Sequence, residues 1–462
     1  MAEMQVPKFR DFLSEAKEDN FLRLLIITDE PEEAKTFHTA DRLKEECDKL
    51  KYPHYLFKLS GGYTHRENGI LSFYNKDDKK GFEIDKDTVA IVRGSITRKD
   101  SWMDFVSQLE REQVCLVNSR NTISICADKY RTALRLADYG LSQPKTKLLN
   151  DPEKSVESAE NEDLKFPLIL KTLRGSKGVG VLFVDSPKGL DSIVQLIHKQ
   201  DEDTDLLLQQ YIKTDYDVRV HILGGKMLAA MKRPVIEGDF RSNVSQGSVP
   251  EKIELTELEI EHSLLAAKAV NGVWSAVDFI PSKDREKIPP FFLEVNSSPG
   301  TEGIEDATKM NIAKEVITHF ANKKNRYQVP TECGYKEVLT IKPFGDIIAK
   351  FDTGNSGMPV IHADKFKVTG KEITWSLLGK TITSKIIRKE EISVGGLRDY
   401  DEDRYVVELD VEFAGGLYKT EFTIDDREDR TPILLDRKFM SRVGVMVNPQ
   451  RKYIITTKLN IE

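Results

Sequence analysis

The sequence predicts an α/β (α+β) body followed by a smaller all-β unit, on three observations. Buried-strand patterns alternate with amphipathic-helix patterns up to residue 144. Between residues 165 and 300, apolar strand-like runs flank a glycine-rich loop and carry acids at matching positions. Beyond residue 335, runs of period two succeed one another between turn signals. A chain of 462 residues exceeds one ordinary core, so two or three domains are expected.

In order, "FLRLLIITDE" (21–30) reads as a buried strand and "TFHTADRLKEECDKL" (36–50) as the amphipathic helix after it. "DTVAIVRGSI" (87–96) is a strand, "SWMDFVSQLERE" (101–112) a helix and "VCLVNS" (114–119) a third strand, which together make a small parallel layer. "ADKYRTALRLADYGLSQPKT" (127–146) is a helix stopped by Gly140, with Pro144 soon after. "NDPEKSVESAENED" (150–163) is polar and unpatterned, hence an exposed loop. Strands are expected to dominate from there to residue 300, apart from the helical "TELEIEHSLLAAKAV" (256–270). "NIAKEVITHFANKKNRY" (311–327) closes the body as a helix, and "KKNRYQVPTECGY" (323–335) reads as a linker. "VLTIKPF", "YVVELDVEF", "YKTEFTID" and "KYIITTKL" are the strands of the last portion.

Hydrophobic content of 39% with 31% charged residues is that of a soluble globular protein. The net charge of −7 comes from 69 basic and 76 acidic residues, well mixed, so no direct nucleic-acid recognition is expected. No apolar run approaches the roughly 20 residues of a membrane span. The first twenty residues lack a signal-peptide core. Cys47, Cys115, Cys126 and Cys333 form no CxxC, and the histidines form no HExxH. Neither a zinc site nor a disulfide framework is indicated, and a cytoplasmic home is the economical expectation.

"LILKTLRGSKGVGVLFVD" (168–185) contains no GxxxxGK[ST] and does not open a helix, which excludes a P-loop and a dinucleotide fingerprint. Apolar β-formers on both sides make it a flap joining two strands. Gly175, Gly178 and Gly180 let backbone N–H groups approach phosphate oxygens, and Lys171 adds a point charge. "WSAVDFIPSKDREKIPPFFLEVNSSPG" (274–300) reads as two strands joined by a polar turn. Pairing symmetric about residue 286 sets Asp278 opposite Glu294, roughly 5 Å apart, with Asn296 on the same face. Three such oxygen donors suit Mg²⁺ shared with a triphosphate. Arg219, Lys232, Arg233 and Arg241 place cations between these elements, as phosphoryl transfer requires.

"ADKYRT", "LILKTLRGSKGVGV", "LLQQYI", "DVRVHILGGKMLAAMKR", "EGDFRSN", "AVDFI" and "FLEVNSSPG", in that order, resemble the RimK type of ATP-grasp ligase, which attaches glutamate to the C-terminus of a small-subunit ribosomal protein. The resemblance implies a pre-ATP-grasp α/β domain over 1–120 and the ATP-grasp domain over 121–322. It implies that Lys129 and Lys171 contact ATP and that the loop of Gly175, Ser176, Lys177, Gly178 and Gly180 covers its phosphates. Gln209, Gln210, Tyr211 and Ile212 would form the adenine hinge, with Asp217 also assigned to the nucleotide. Asp278, Glu294 and Asn296 would hold two Mg²⁺ ions, for which Mn²⁺ substitutes. Arg219, Arg241 and Asn243 would hold the acyl phosphate and the incoming substrate. Gln210 departs from a family Glu, and Pro234 and Ile236 from basic residues, which bears on the identity of the added amino acid.

"IIAKFDTGNSGMPV" (347–360) contains a single Asp-Thr-Gly, Asp352, Thr353 and Gly354, delivered by an apolar run. One carboxyl with a pKa near 3.9 cannot be both acid and base in peptide hydrolysis, whereas two sharing a proton can. Two copies of the chain around a two-fold axis supply the pair. With "YKTEFTIDDREDRTPILLDRKFM" and "VNPQRKYIIT", the segment resembles the retropepsin-like domain of the RimB family over 335–462, after a linker at 323–334. The resemblance implies an all-β barrel acting as a homo-oligomer, dimer or tetramer. Asn355 and Gly357 depart from the small and basic residues after the motif, and Asp436 from a Gly beside the active-site support. His362 reads as a packing residue.

The expected whole is a two-function enzyme that ligates glutamate to an acceptor protein, which the resemblance implies is a small-subunit ribosomal protein, and trims the product. Two alternatives stay open. One is a small-molecule or peptide amide ligase of the same fold whose β unit only binds or dimerises. The other is a ribosome-binding or regulatory protein with a silent ligase site.

Overall fold

Among the described residues, four sheets and the helices packed on them organise the first part of the chain. In the computed structural model, residues 21–29, 38–67, 70–149, 151–161, 164–173, 180–235, 249–393, 401–427 and 430–456 are described. The chain divides into two compact units, 1–328 and 329–462.

The first unit opens with a parallel sheet in the order His54–Lys58, Arg23–Thr28, Thr88–Arg93, Cys115–Val117. Its two central strands are mostly apolar because both faces are covered, the condition for an all-parallel sheet. Helices His38–Leu50 and Asp100–Arg111 cross between the strands, as the sequence predicts. A small antiparallel sheet, Tyr63–Glu67, Ile70–Tyr74 and Phe82–Glu83, is inserted within it and was not legible as such.

A four-stranded antiparallel sheet follows in the order Val181–Val184, Leu168–Thr172, Leu206–Gln210, Thr146–Leu149. Two expectations fail beside it. The stretch 150–163 is not a plain loop: Asp151 caps a 3₁₀ turn at Pro152–Lys154, and Ser155–Asn161 is helical. Pro187–Gln200 is a full helix rather than strand, started by the Ser186 side chain and by Pro187 in the first turn. Leu190, Ile193, Val194 and Ile197 are its apolar stripe and pack on this sheet's core.

A five-stranded sheet completes the unit in the order Glu251–Lys252, Lys226–Pro234, Tyr216–Leu223, Trp274–Ile280, Phe291–Asn296. Helix Glu257–Ala269 packs behind it, opened by a capping box between Thr256 and Glu259.

The second unit closes on itself. Lys336–Ile341, Gly345–Phe351, Ile433–Leu435, Val360–His362, Gly416–Asp425 and Asp401–Phe413 pair in turn, and the last returns to the first at Thr340–Glu412 and Ile341–Val411. This is a closed six-strand barrel filled by Phe351, Phe422, Phe439 and their neighbours, and closure removes free edges. Arg388–Ser393 adds a strand outside it, and Lys365–Thr369, Glu372–Leu377 and Lys380–Lys385 form a separate three-stranded sheet.

"KYIITTKL" does not form a strand over 453–456, and 457–462 lie outside the described residues. A buried carboxylate replaces the ladder there. Glu337 accepts backbone N–H groups of Gly334 (2.6 Å), Ile454 (2.9 Å), Ile455 (3.2 Å) and Thr456 (2.9 Å), and the Thr456 hydroxyl. Bonds to a charged acceptor are worth about 1.5–3 kcal/mol each. Glu337→Ala is therefore expected to destabilise the second unit by about 3 kcal/mol or more. Hydrogen exchange of the full chain should show 454–456 losing protection; unchanged protection would show that the carboxylate does not hold this segment.

Candidate active site

The hairpin Tyr216–Leu223/Lys226–Pro234 turns at Gly224 and Gly225, both with positive φ. A register shift between His221 and Ile222 leaves one extra residue on the return strand. The shift brings Arg233, rather than Lys232, opposite Asp217. Arg233 grips both Asp217 oxygens, at 2.7 and 2.6 Å. Lys232 turns to the other side and pairs with Glu251.

The next strand continues the row. Arg219 lies opposite Asp278, and Asp278 opposite Glu294, as the symmetric pairing predicts. Arg219 donates to both Asp278 oxygens, at 2.7 and 2.6 Å, and Arg233 adds a third bond at 3.0 Å. Burial alone would raise the Asp278 carboxyl, which is 2% exposed. The two guanidiniums outweigh burial and hold it well below the usual carboxylate range. Burial likewise opposes the Arg233 charge, and Asp278 and Asp217 more than restore it.

Glu294 is the more open acid, with a side chain 38% exposed. It accepts from the Asn296 amide at 3.1 Å and stands 4.0 Å from Arg219. Asp278, Glu294 and Asn296 thus come together on one sheet face. Among the described residues Asp278 Oδ1 accepts from Arg219 Nε alone, so a lone pair remains for a cation. Among the described residues no three His, Cys, Asp or Glu side chains converge on one point. A divalent ion would take part of its oxygen shell from a ligand, the usual arrangement for Mg²⁺.

Two ammonium groups complete the charge pattern. Asp128 caps helix Lys129–Asp138 and fixes Lys129 in its first turn, where Lys129 donates to the Thr172 carbonyl at 3.1 Å. Lys171 donates to the Gln209 side chain at 2.6 Å, and Gln209 donates to Thr146. Burial lowers both lysines; Lys171 is pushed down to about 8, helped by Lys129 and opposed by Glu294. Gln210 accepts from the Lys145 backbone, and Tyr211 meets Phe183 edge-on with ring centroids 5.1 Å apart. Ile212 follows them past the end of the strand. Gly180, at φ +80°, abuts Thr172, and Thr172 N–H donates to its carbonyl. The phosphate-loop residues Gly175, Ser176, Lys177 and Gly178, and Arg241 and Asn243, lie outside the described residues.

Asp217, assigned above to the nucleotide, is buried with both oxygens on Arg233. His221 was not singled out at all. It is fully buried beside Arg219 on the same strand, and burial pushes it down to about 3, aided by Arg219.

In the second unit, strand Gly345–Phe351 delivers Asp352, whose N–H donates to the Leu435 carbonyl. Gly354 N–H donates to Asp352 Oδ1 at 3.0 Å, and Lys350 Nζ lies 3.5 Å from Oδ2. Thr353 and Gly354 are exposed. The departures have structural roles. Asn355 ties the loop to Met358 and Gly357, and Asp436 caps helix Arg437–Val443 by accepting from Phe439 N–H. His362 is buried between Asp364 and the Arg427 N–H, which makes its Nδ1 an acceptor.

Residues 126–320 match the model of the RimK-like ATP-grasp domain. A "Probable alpha-L-glutamate ligase" of Marinomonas sp. is 35% identical over 217 residues, 46% of this chain and 70% of that protein. The chain belongs to the RimK-like ATP-grasp family. A protein of the same name from Coxiella burnetii is also 35% identical, over 46% of this chain and 69% of its own length. Residues 333–458 match the model of the retropepsin-like aspartic endopeptidase RimB. A solved Chryseobacterium gregarium RiPP-associated ATP-grasp ligase, in complex with ADP and a leader and core peptide, shares the fold at TM-score 0.50 and 16% identity. It spans 66% of this chain and 98% of its own. The expected fold, ATP-grasp with a preceding α/β layer and then a strand-rich barrel, is the one found. It is a fold of ATP-dependent carboxylate–amine ligation.

Removing one member of a buried ion pair costs about 3–5 kcal/mol, because the other charge is left uncompensated. Arg233→Met is expected to destabilise the first unit by that amount, and Arg233→Met with Asp217→Leu to recover part of it. Urea unfolding measures both; a single variant as stable as the parent would show the pair to be dispensable.

Proposed function

We propose that the chain ligates glutamate to the C-terminus of an acceptor protein, in the first instance a small-subunit ribosomal protein, and that its second unit trims the product. The row Arg219–Asp278–Glu294 carries the ligase reading. It sets a half-open carboxylate beside two neutralised guanidiniums and within electrostatic reach of Lys129 and Lys171. The names of the Marinomonas and Coxiella relatives support glutamate as the added residue.

In this reading ATP lies between the two antiparallel sheets, with Lys129 and Lys171 on its phosphates and 209–212 against the base. Glu294, Asn296 and Asp278 Oδ1 would hold Mg²⁺, which would supply charge neutralisation on the phosphate oxygens. The acceptor carboxylate attacks the γ-phosphorus, the bond to the β-phosphate breaks, and an acyl phosphate forms. The amine of glutamate then attacks the acyl carbon, phosphate leaves, and the amine gives up its proton. Arg219, Arg241 and Asn243 hold the acyl phosphate in place. The buried Asp278–Arg233–Asp217 chain fixes the Arg219 guanidinium without reorganisation during the reaction. In the second unit, Asp352 meets Asp352 of the partner subunit in a homodimer, which supports peptide hydrolysis by a shared proton.

Intact-mass spectrometry on ribosomal proteins after incubation with Mg-ATP and glutamate tests the whole reading. One-residue mass steps are expected, absent in Glu294→Ala and longer in Asp352→Asn. Unchanged masses with ATP consumed would place the acceptor elsewhere; no ATP consumption would overturn the ligase reading.

Nucleotide binding gives Lys171 a phosphate partner and raises its pKa from about 8. The charge contribution is complete below pH 8 and is lost as pH rises above it, by up to about tenfold in affinity per pH unit. Calorimetric titration with ATP between pH 7 and 9.5 should show this slope in the parent and a shallower one in Lys171→Met, where Lys129 remains. Equal slopes would remove Lys171 from the nucleotide site.

A further inference from the structure

The three-stranded sheet Lys365–Thr369, Glu372–Leu377, Lys380–Lys385 stands outside the barrel ring. Its inner face, including Ile373, Trp375 and Leu377, is buried in the barrel core. Its outer face holds Lys365, Lys367 and Lys385 among exposed hydroxyl residues, with Lys371 in the turn before Glu372, whereas Lys380 opens the third strand and donates to the Pro343 and Phe344 carbonyls. Four lysines, Lys365, Lys367, Lys371 and Lys385, stand against one acid, Glu372, in a chain of net charge −7.

On an ordinary solvated sheet face, cations sit opposite acids, because like charges directly opposite destabilise and unlike charges stabilise. Lys385 follows that rule, opposite Glu372, but the cross-strand neighbours of Lys365 and Lys367 are Ser376 and Thr374. Among the described residues Lys365, Lys367, Lys371 and Lys385 have no acid within 4 Å, and Thr374 bonds to Thr383 instead. Same-face side chains along a strand recur about every 7 Å, which is also the repeat of alternate side chains in an extended peptide. The lysine face therefore matches a run of carboxylates in extended conformation. No ring shares that face: Phe366 alternates to the opposite side, and Trp375 is buried. Single-stranded nucleic acid draws much of its binding from stacked aromatics, so an acidic peptide fits this surface better.

We propose that this face binds the acidic C-terminal tail that the ligase unit makes, a run of several glutamates, and holds it on the unit that carries Asp352. The inference rests on the glutamate-ligase reading, because that activity generates the ligand.

Fluorescence anisotropy with the full chain tests it. The probes are a labelled peptide ending in four glutamates, the same peptide ending in four glutamines, and a single-stranded RNA of similar length, each at low and at raised salt. The glutamate peptide should bind at least tenfold more tightly than the glutamine peptide, with an affinity that falls as salt rises. Lys365→Glu with Lys367→Glu should remove that difference while ATP turnover stays at the parental level; Lys365→Gln with Lys367→Gln, which adds no repulsion, should remove most of it. Circular dichroism of both variants checks folding. Glutamate-tail binding that survives in folded variants would assign it to the ligase site alone and overturn the proposal. So would RNA binding more tightly than the glutamate peptide and being lost in the variants. Absent ATP turnover in the parent would instead fault the ligase reading, whatever the peptides do.

Discussion

Four side chains, Asp217, Arg233, Asp278 and Arg219, form a buried chain of alternating charge, and the first unit is arranged around it. Each carboxylate is met by a guanidinium fork, the geometry that satisfies most lone pairs at once. Taking charges from water is expensive, and such a chain is tolerated only when complete. Its position explains why it persists. It ends at Glu294, a half-open carboxylate. The buried members hold Arg219 rigid, and the open one stays available.

Much of this was legible. Asp278 opposite Glu294 followed from counting outward from a polar turn, because hairpin register is set by its ends. The same counting around Gly224–Gly225 would have put Lys232 opposite Asp217, since a bulge adds a residue that no composition signal announces. Hence Arg233 was legible as a cation near the site, but its pairing with Asp217 was not. Helix Pro187–Gln200 was readable from Ser186, Pro187 and an i, i+3, i+4, i+7 apolar stripe, but its β-branched residues favoured the strand reading. His221 was invisible because burial of an isolated histidine depends on neighbours from distant strands, here Ala229 and Ala276.

The second unit shows how departures from a family pattern find work. A charged residue in place of glycine at 436 would obstruct packing if it pointed inward without partners. Its carboxylate caps a helix instead, satisfying a donor that would otherwise be orphaned. Asn355 similarly closes its loop through its own side chain. The Asp-Thr-Gly is held by strand pairing with Ile433–Leu435, and its outward Thr353 and Gly354 remain accessible.

Glu337 has a wider meaning for the architecture of the chain. Gly334 and Thr456, separated by almost the whole length of the barrel unit, both donate to its one carboxyl group. Entry to and exit from the barrel are thus neighbours. A module whose ends meet can be spliced to a host at a single point, or have its ends rejoined and new ones cut elsewhere, without threading chain across its core. Such topology lets a barrel be joined to a ligase, or separated from it, while its interior stays as it was.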